Sequence, residues 1–244
     1  MNYNITHIDK KYKIMQLKDM PYWWRFVQGG GVSHPAVLDD GNTVAWYDYE
    51  ENITKDGSNL VSVWGDKSGN GNDLLQATGA NQPVVNSNGV LFDGFSDFMK
   101  ANTFTLEQPE FIYIVLKQIS WTMYDAIFDG NVSNVMLLQQ RSSSPNIAAY
   151  AGAVSSLNGD LAIGSYGIVR VLYNGASSKL QVNEETPITG NFGTSNGGGF
   201  TLAAQANGSR FSNIKVKEVI IRKIADSASD EQEIYNYLSK KYGI

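Results

Sequence analysis

The stretch Trp64-Gly65-Asp66-Lys67-Ser68-Gly69-Asn70-Gly71-Asn72-Asp73-Leu74 decides how the rest of the chain is read. An aromatic residue and an acid lead into a Ser-Gly-Asn-Gly-Asn turn, which returns to apolar residues; no helix carries that pattern. Ser-Gly, Asn-Gly and Asn-Asp favour positive φ or side-chain-to-backbone turns. Leu91-Phe92-Asp93-Gly94 echoes the theme. Two jobs suit such a loop: tying two strands together, or gathering oxygen ligands around a cation.

Working outward, the neighbours are strand-like. Thr43-Val44-Ala45-Trp46-Tyr47-Asp48 is β-branched and aromatic, with the Asp56-Gly57 turn after it. Leu60-Val61-Ser62-Val63-Trp64 alternates into the loop. Pro83-Val84-Val85 and Gly89-Val90-Leu91-Phe92 predict short strands joined across Asn86-Ser87-Asn88. Residues 111–117 form an uninterrupted apolar run, as in a strand covered on both faces. Further strands are predicted at 126–128, 135–139, 147–150, 168–173, 179–182, 200–204 and 215–222, with Gly, Asn or Ser in most gaps. Many short strands with turn-rich gaps imply an antiparallel sandwich, not a βαβ fold. The end is helical. Ser229-Asp230-Glu231-Gln232 fits a capping box, Ile234, Tyr235 and Leu238 make one apolar face, and Gly243 follows Lys240 and Lys241 at the stop.

Composition agrees. With 244 residues, 42% hydrophobic and 18% charged, the chain can bury a core and suits one large β-domain, or one domain with a substantial extension. A net charge of −5 argues against nucleic-acid binding, since phosphates would meet no broad positive field. The absence of cysteine excludes disulfides and thiolate catalysis. His7 and His34 have no ligand partner at metal-site spacing. MNYNITHIDKK lacks the order of a signal peptide, and no apolar run reaches membrane-span length, so neither secretion by that route nor membrane insertion is expected.

Residues 1–40 differ from the remainder. Ile14 to Val27 is dense in large side chains, including Trp23, Trp24 and Phe26, and breaks at Gly29-Gly30-Gly31. Such an arm must be buried, on its own domain or on a neighbouring protein. The expected organisation is therefore a docking arm over 1–40 and a sandwich over 41–244.

At this point the residues resemble a family: the concanavalin A-like lectin/glucanase jelly rolls of the laminin-G-like type. Val44-Ala45-Trp46-Tyr47-Asp48 resembles the opening strand, and Trp64-x-Asp66-x-Ser68-Gly69-Asn70-Gly71-Asn72 the Trp-Asp-Ser-Gly-Asn segment. Pro83 with Val90-Leu91-Phe92-Asp93-Gly94 is similar to the strand ending in Phe-Asp-Gly. Leu180-Gln181-Val182-Asn183 is similar to a strand in which Asn-Gly usually follows, although Glu184 stands here for the glycine. Glu218-Val219-Ile220-Ile221 and the helix ending Tyr237-Leu238-x-x-Lys241-Tyr242-Gly243 resemble the closing strand and helix. The resemblance covers about 42–244. It implies an all-β, two-sheet antiparallel jelly-roll sandwich with a short C-terminal α-helix, a form used for carbohydrate or protein recognition.

Glucanase relatives carry Glu-x-Asp-x-x-Glu on one strand, which is absent here. Asp125 and Asp129 stand four apart, roughly 13 Å along extended chain, beyond the roughly 5.5 Å of a retaining pair. No enzymatic activity is expected. Asp66, Asn70, Asn72 and Asp73, with Asp93 nearby, offer hard oxygens for calcium, but the same residues serve backbone turns, and the turn reading is preferred. For sugar binding the candidates are Trp121, Tyr124 and Asp125, in a loop after a buried strand, joined by Tyr150 and Tyr166. The expected protein is a non-enzymatic surface or structural component, plausibly of a phage virion, whose arm joins a larger assembly and whose lectin-like domain is displayed, with cell-surface glycan and homo-oligomer contacts as further partners. The alternatives are a stand-alone carbohydrate-binding module and, more remotely, a glycoside hydrolase.

Overall fold

Alternation and β-branching between turn residues produce seventeen strands among the described residues of the computed structural model, 32–155 and 159–244. They are β1 (Thr43–Asp48), β2 (Ile53–Lys55), β3 (Val61–Trp64), β4 (Leu74–Leu75), β5 (Val84–Asn86), β6 (Gly89–Asp93), β7 (Met99–Ala101), β8 (Glu110–Gln118) and β9 (Ala126–Asp129). Then come β10 (Leu137–Gln140), β11 (Asn146–Tyr150), β12 (Gly159–Asp160), β13 (Tyr166–Tyr173), β14 (Ser178–Val182), β15 (Ile188–Gly190), β16 (Thr201–Leu202) and β17 (Asn213–Arg222). A helix, α1 (Ala228–Tyr242), follows.

Two antiparallel sheets result. Sheet 1 runs β15-β14-β13-β8-β17-β6-β5, with β1 also on β17; sheet 2 runs β12-β11-β10-β9-β16-β7-β4-β3-β2. Strand β17 accepts two partners on one edge because β6 takes residues 213–216 and β1 takes 218–222. A register shift against β8 falls between Val216 and Glu218, where the two pairings meet. Trp64, Phe92, Phe128, Phe200, Tyr47 and Tyr173 fill the core between the sheets. Strand β8 is buried along nearly its whole length, as its apolar run predicts. The fold is the expected all-β two-sheet sandwich with one C-terminal helix.

The deciding loop is a clasp. Asp66 lies between β3 and β4, and its Oδ1 accepts from the Trp46 and Ser68 N–H groups, both at 2.8 Å. Its Oδ2 accepts from the Ser68 hydroxyl at 2.8 Å and the Asn72 N–H at 3.1 Å. Asp73 accepts from the Asp66 N–H, while the Asn70 and Asn72 amides donate to the Thr43 and Val44 carbonyls. The loop thus binds β1 of sheet 1 to β3 and β4 of sheet 2. Asp93 does the same locally: burial pushes its carboxyl up, but hydrogen bonds from Ser96, Phe95 and Asp97 outweigh this and hold it below the usual range.

The helix covers the outer face of sheet 1. Its N-cap is Ser227, two residues before the expected Ser229: the Ser227 hydroxyl accepts from the Asp230 N–H and donates to the Asp230 carboxylate. The shift turns Glu231 inward onto Arg170 and Lys179. Gly243 ends the helix at φ 68°, a conformation a side chain resists.

The arm carrying Trp23, Trp24 and Phe26 lies outside the described residues. The compact sandwich unit spans His34–Ile244, so it starts earlier than the expected residue 41. Arg222 fixes this early segment, donating to the Val37 carbonyl at 2.8 Å and pairing with Asp40 at 2.8 Å.

Two stability measurements follow. Asp66→Ala removes four accepted hydrogen bonds and is expected to cost about 3 kcal/mol in urea unfolding, against about 1 for Asp73→Ala; equal losses would refute the clasp. Glu110 is buried with Oε2 unpartnered, and burial pushes its carboxyl from 4.5 up to about 8. A raised carboxyl stabilises the fold fully below its unfolded value, and that stability is lost as pH rises to about 8. Glu110→Gln should therefore match the parent near pH 4 and exceed it at pH 9, by on the order of 3 kcal/mol; parallel pH profiles would contradict this.

Candidate functional site

Strand β10 shows where side chains leave the core. Leu138 packs between the sheets, so alternation sends Leu137, Gln139 and the following Arg141 to the outer face of sheet 2. In β11, Ile147 and Ala149 point inward, which sends Tyr150 outward opposite Leu137, while the small Ala148 stands opposite Gln139. With Tyr124, Asn134, Gln205 and Arg210 these residues enclose an open pocket of about 280 Å³.

Each wall has a local cause. The turn at 122–125 is bound to Gln140: the Thr122 N–H donates to Oε1 at 2.8 Å and the Tyr124 N–H to the backbone carbonyl at 2.7 Å. Gln140 is itself fully buried and tied to Gln118 and Ser120. Tyr124 is thereby held at φ 77°, a region that bulky side chains rarely adopt, with its ring at the rim and 38% exposed. The opposite wall depends on Asp129. Burial pushes its carboxyl up, against hydrogen bonds from the Asn134, Gly130, Ala206 and Val135 N–H groups. It therefore joins the 130–135 loop to the 205–209 turn, where the Gln205 amide donates to Asn134 at 2.8 Å. Arg210 is set by its carbonyl, which accepts from the Ala126 N–H at 2.8 Å.

The polar groups facing this space are largely uncommitted. Neither the Gln139 amide, although only 5% exposed, nor the Tyr150 hydroxyl has a hydrogen-bond partner among the described residues. The Arg141 and Arg210 guanidiniums lie over the Tyr124 ring, 5.5 and 5.2 Å from its centre. Asp125 adjoins the pocket: burial raises its carboxyl, opposed by the Thr122 side chain and the charge of Arg210. Two rings, a free amide, a free hydroxyl and two cations can stack on a sugar and hydrogen-bond its hydroxyls.

The structure brings Tyr124 and Tyr150 into one pocket with Asp125 beside it. Trp121 lies in the adjacent segment, but its indole N–H donates to the Asn146 carbonyl at 2.9 Å and it does not line the pocket. Tyr166 is elsewhere, on β13 of sheet 1, with its hydroxyl on the Asn88 carbonyl and its ring under Lys117 and Lys217. Sequence reasoning missed Asn134, Gln139, Arg141, Gln205 and Arg210. Continuing the β10 alternation would have found Gln139 and Arg141, whereas the other three arrive on loops by long-range contacts. Among the described residues no cluster of three metal-ligating side chains occurs.

No protein-family model matches the chain, nor does any curated protein. Solved structures do. A sialidase of Trypanosoma rangeli, in complex with sialic acid, aligns over 82% of this chain and 33% of its own, with a TM-score of 0.61 and 13% identity. An arabinofuranosidase complexed with arabinofuranosyl-α-1,2-xylobiose aligns over 75% of this chain and 51% of its own, with a TM-score of 0.61 and 16% identity. The unliganded Trypanosoma rangeli sialidase gives 89% and 37%, with a TM-score of 0.60 and 13% identity. The chain thus spans about a third to a half of the glycosidases it matches. At these identities the likeness is one of fold. That these similar structures are glycosidases runs against the expectation of a non-enzymatic protein and towards the glycoside-hydrolase alternative.

Proposed function

We propose that this chain is the saccharide-engaging sandwich of a glycosidase-type protein, with its ligand in the pocket on the outer face of β10 and β11. The observation that carries the reading is the pairing of the Tyr124 and Tyr150 rings with the uncommitted Gln139 amide in one open pocket. Rings supply apolar faces for stacking, and a buried amide without a protein partner favours a ligand that hydrogen-bonds it. At about 280 Å³ the pocket suits one sugar residue, with a longer chain continuing into solvent. The order of the five sequence motifs supports the finer assignment, a concanavalin A-like jelly roll.

A second reading is favoured by the glycosidase matches: the sandwich itself cleaves glycosides, with Asp125 as the acid. Its carboxyl is raised by burial, which suits proton donation, and it adjoins the pocket. A second catalytic carboxylate does not line the pocket, and Asp129 is consumed by backbone N–H groups.

Calorimetric titration with a panel of oligosaccharides, followed by Tyr124→Ala and Tyr150→Ala, tests the pocket. Each substitution is expected to weaken binding by about 1–2 kcal/mol; affinity unchanged in both would place the site elsewhere. Reducing-end release from the same panel tests cleavage. Asp125→Asn should lower any turnover by about 10²–10⁴ while binding persists, and no turnover on any substrate would leave the pocket to recognition.

A further inference from the structure

We infer that the saccharide this pocket takes is acidic, its carboxylate held between the guanidinium groups of Arg141 and Arg210. The inference rests on the saccharide reading of the pocket and names the ligand class.

The other two arginines of the described residues are ion-paired. Arg170 pairs with Glu231, and Arg222 with Asp40 and Asp226. Arg141 and Arg210 differ: neither side chain has an ion pair or a hydrogen-bond acceptor among the described residues. Both nonetheless gather over one ring, Tyr124, at 5.5 and 5.2 Å from its centre. Two like charges on one aromatic repel each other, and exposed cation–π contacts return only about 0.5–1 kcal/mol each. No acidic residue lines the pocket, and Asp125 beside it supplies one negative charge against two positive.

A bound anion would resolve this imbalance. Arginine presents a planar fork that meets a carboxylate with two parallel hydrogen bonds, so two such forks on one pocket suit a planar acid. The backbone that carries the ring they flank is held by the Gln140 carbonyl before any ligand arrives. Across the pocket, Gln139 and Tyr150 offer an amide and a hydroxyl for the neutral part of a sugar. A carboxylated sugar uses both halves, whereas a neutral one leaves the guanidiniums facing each other.

General attraction of anions has its own control. Lys117, Lys215 and Lys217 cluster on sheet 1, the sheet that does not carry this pocket, with no ion pair among the described residues.

The test titrates the full chain with glucuronate, galacturonate and N-acetylneuraminate, each beside its methyl ester, and with galactose 6-sulfate. At least one acid should bind about tenfold or more tightly than its ester. Arg141→Gln and Arg210→Gln should each abolish that preference, and a Lys215→Ala/Lys217→Ala variant should retain it. Equal affinity for acid and ester would overturn the acidic ligand while leaving the saccharide pocket standing. No binding by any sugar would remove both. Tighter binding of the sulfate ester than of every carboxylate would overturn the carboxylate, and loss of preference only in the lysine variant would move the site to sheet 1.

Discussion

A single buried carboxylate fixes which face of this sandwich is closed. Glu218 stands on β17, the strand that joins β8, β6 and β1, and its side chain is fully buried on the outer face of sheet 1. Burial pushes its carboxyl up, partly offset by Lys241. It accepts from the Trp46 indole at 2.6 Å, the Tyr237 hydroxyl at 3.0 Å, the Tyr242 hydroxyl at 2.5 Å and the Lys241 ammonium at 2.7 Å. Three of the four donors sit on α1, so the acid tolerates burial only with the helix in place. Removing a partner from such a buried group typically costs about 3–5 kcal/mol. Lys241 also reaches Asp48 on β1, so the helix end is bound to two strands at once.

That arrangement bears on function by subtraction. With α1 packed over β1, β13 and β17, the outer face of sheet 1 loses much of its room for a ligand. The outer face of sheet 2 has no helix over it among the described residues, and there polar side chains open around β10 and β11. The same alternation that delivers Leu138 to the core delivers Gln139 to the pocket. Fold and site are two faces of one strand.

Much of this was legible in the chain, for definite reasons. The long strands β1, β8, β13 and β17 show in sequence because each carries β-branched or aromatic residues in a mostly buried run. The Asp66 loop shows because only Asp, Asn, Ser and Gly make such side-chain-to-backbone turns. The strands β2, β4, β7, β12 and β15 do not show, since two or three residues cannot display a period and their pairing is imposed by neighbours. At the site, Tyr124 and Asp125 were reachable because they follow a buried strand in turn-like sequence. Arg210 was not, because 86 positions separate it from Tyr124 and pairing of Ala126 with Arg210 and Phe211 brings them together. Trp121 was reachable in the same way as Tyr124, but its indole N–H donates to the Asn146 carbonyl and it stands outside the pocket lining.

What remains is why a tyrosine should occupy a left-handed backbone position at all. Asn or Gly would sit at φ 77° with less strain, and for a bulky residue the conformation costs of order 1–3 kcal/mol. The cost is met by Gln140, whose backbone carbonyl and side chain take the N–H groups of Tyr124 and Thr122 and whose own amide is anchored in the interior. The consequence is a ring carried on backbone whose place is set by the core. A ligand stacking on it then loses little conformational freedom in the protein, which is the physical meaning of preorganisation. Strain at Tyr124, burial at Gln140 and the free guanidiniums above the ring belong to one arrangement, in which the interior of the sandwich holds a surface ready for contact.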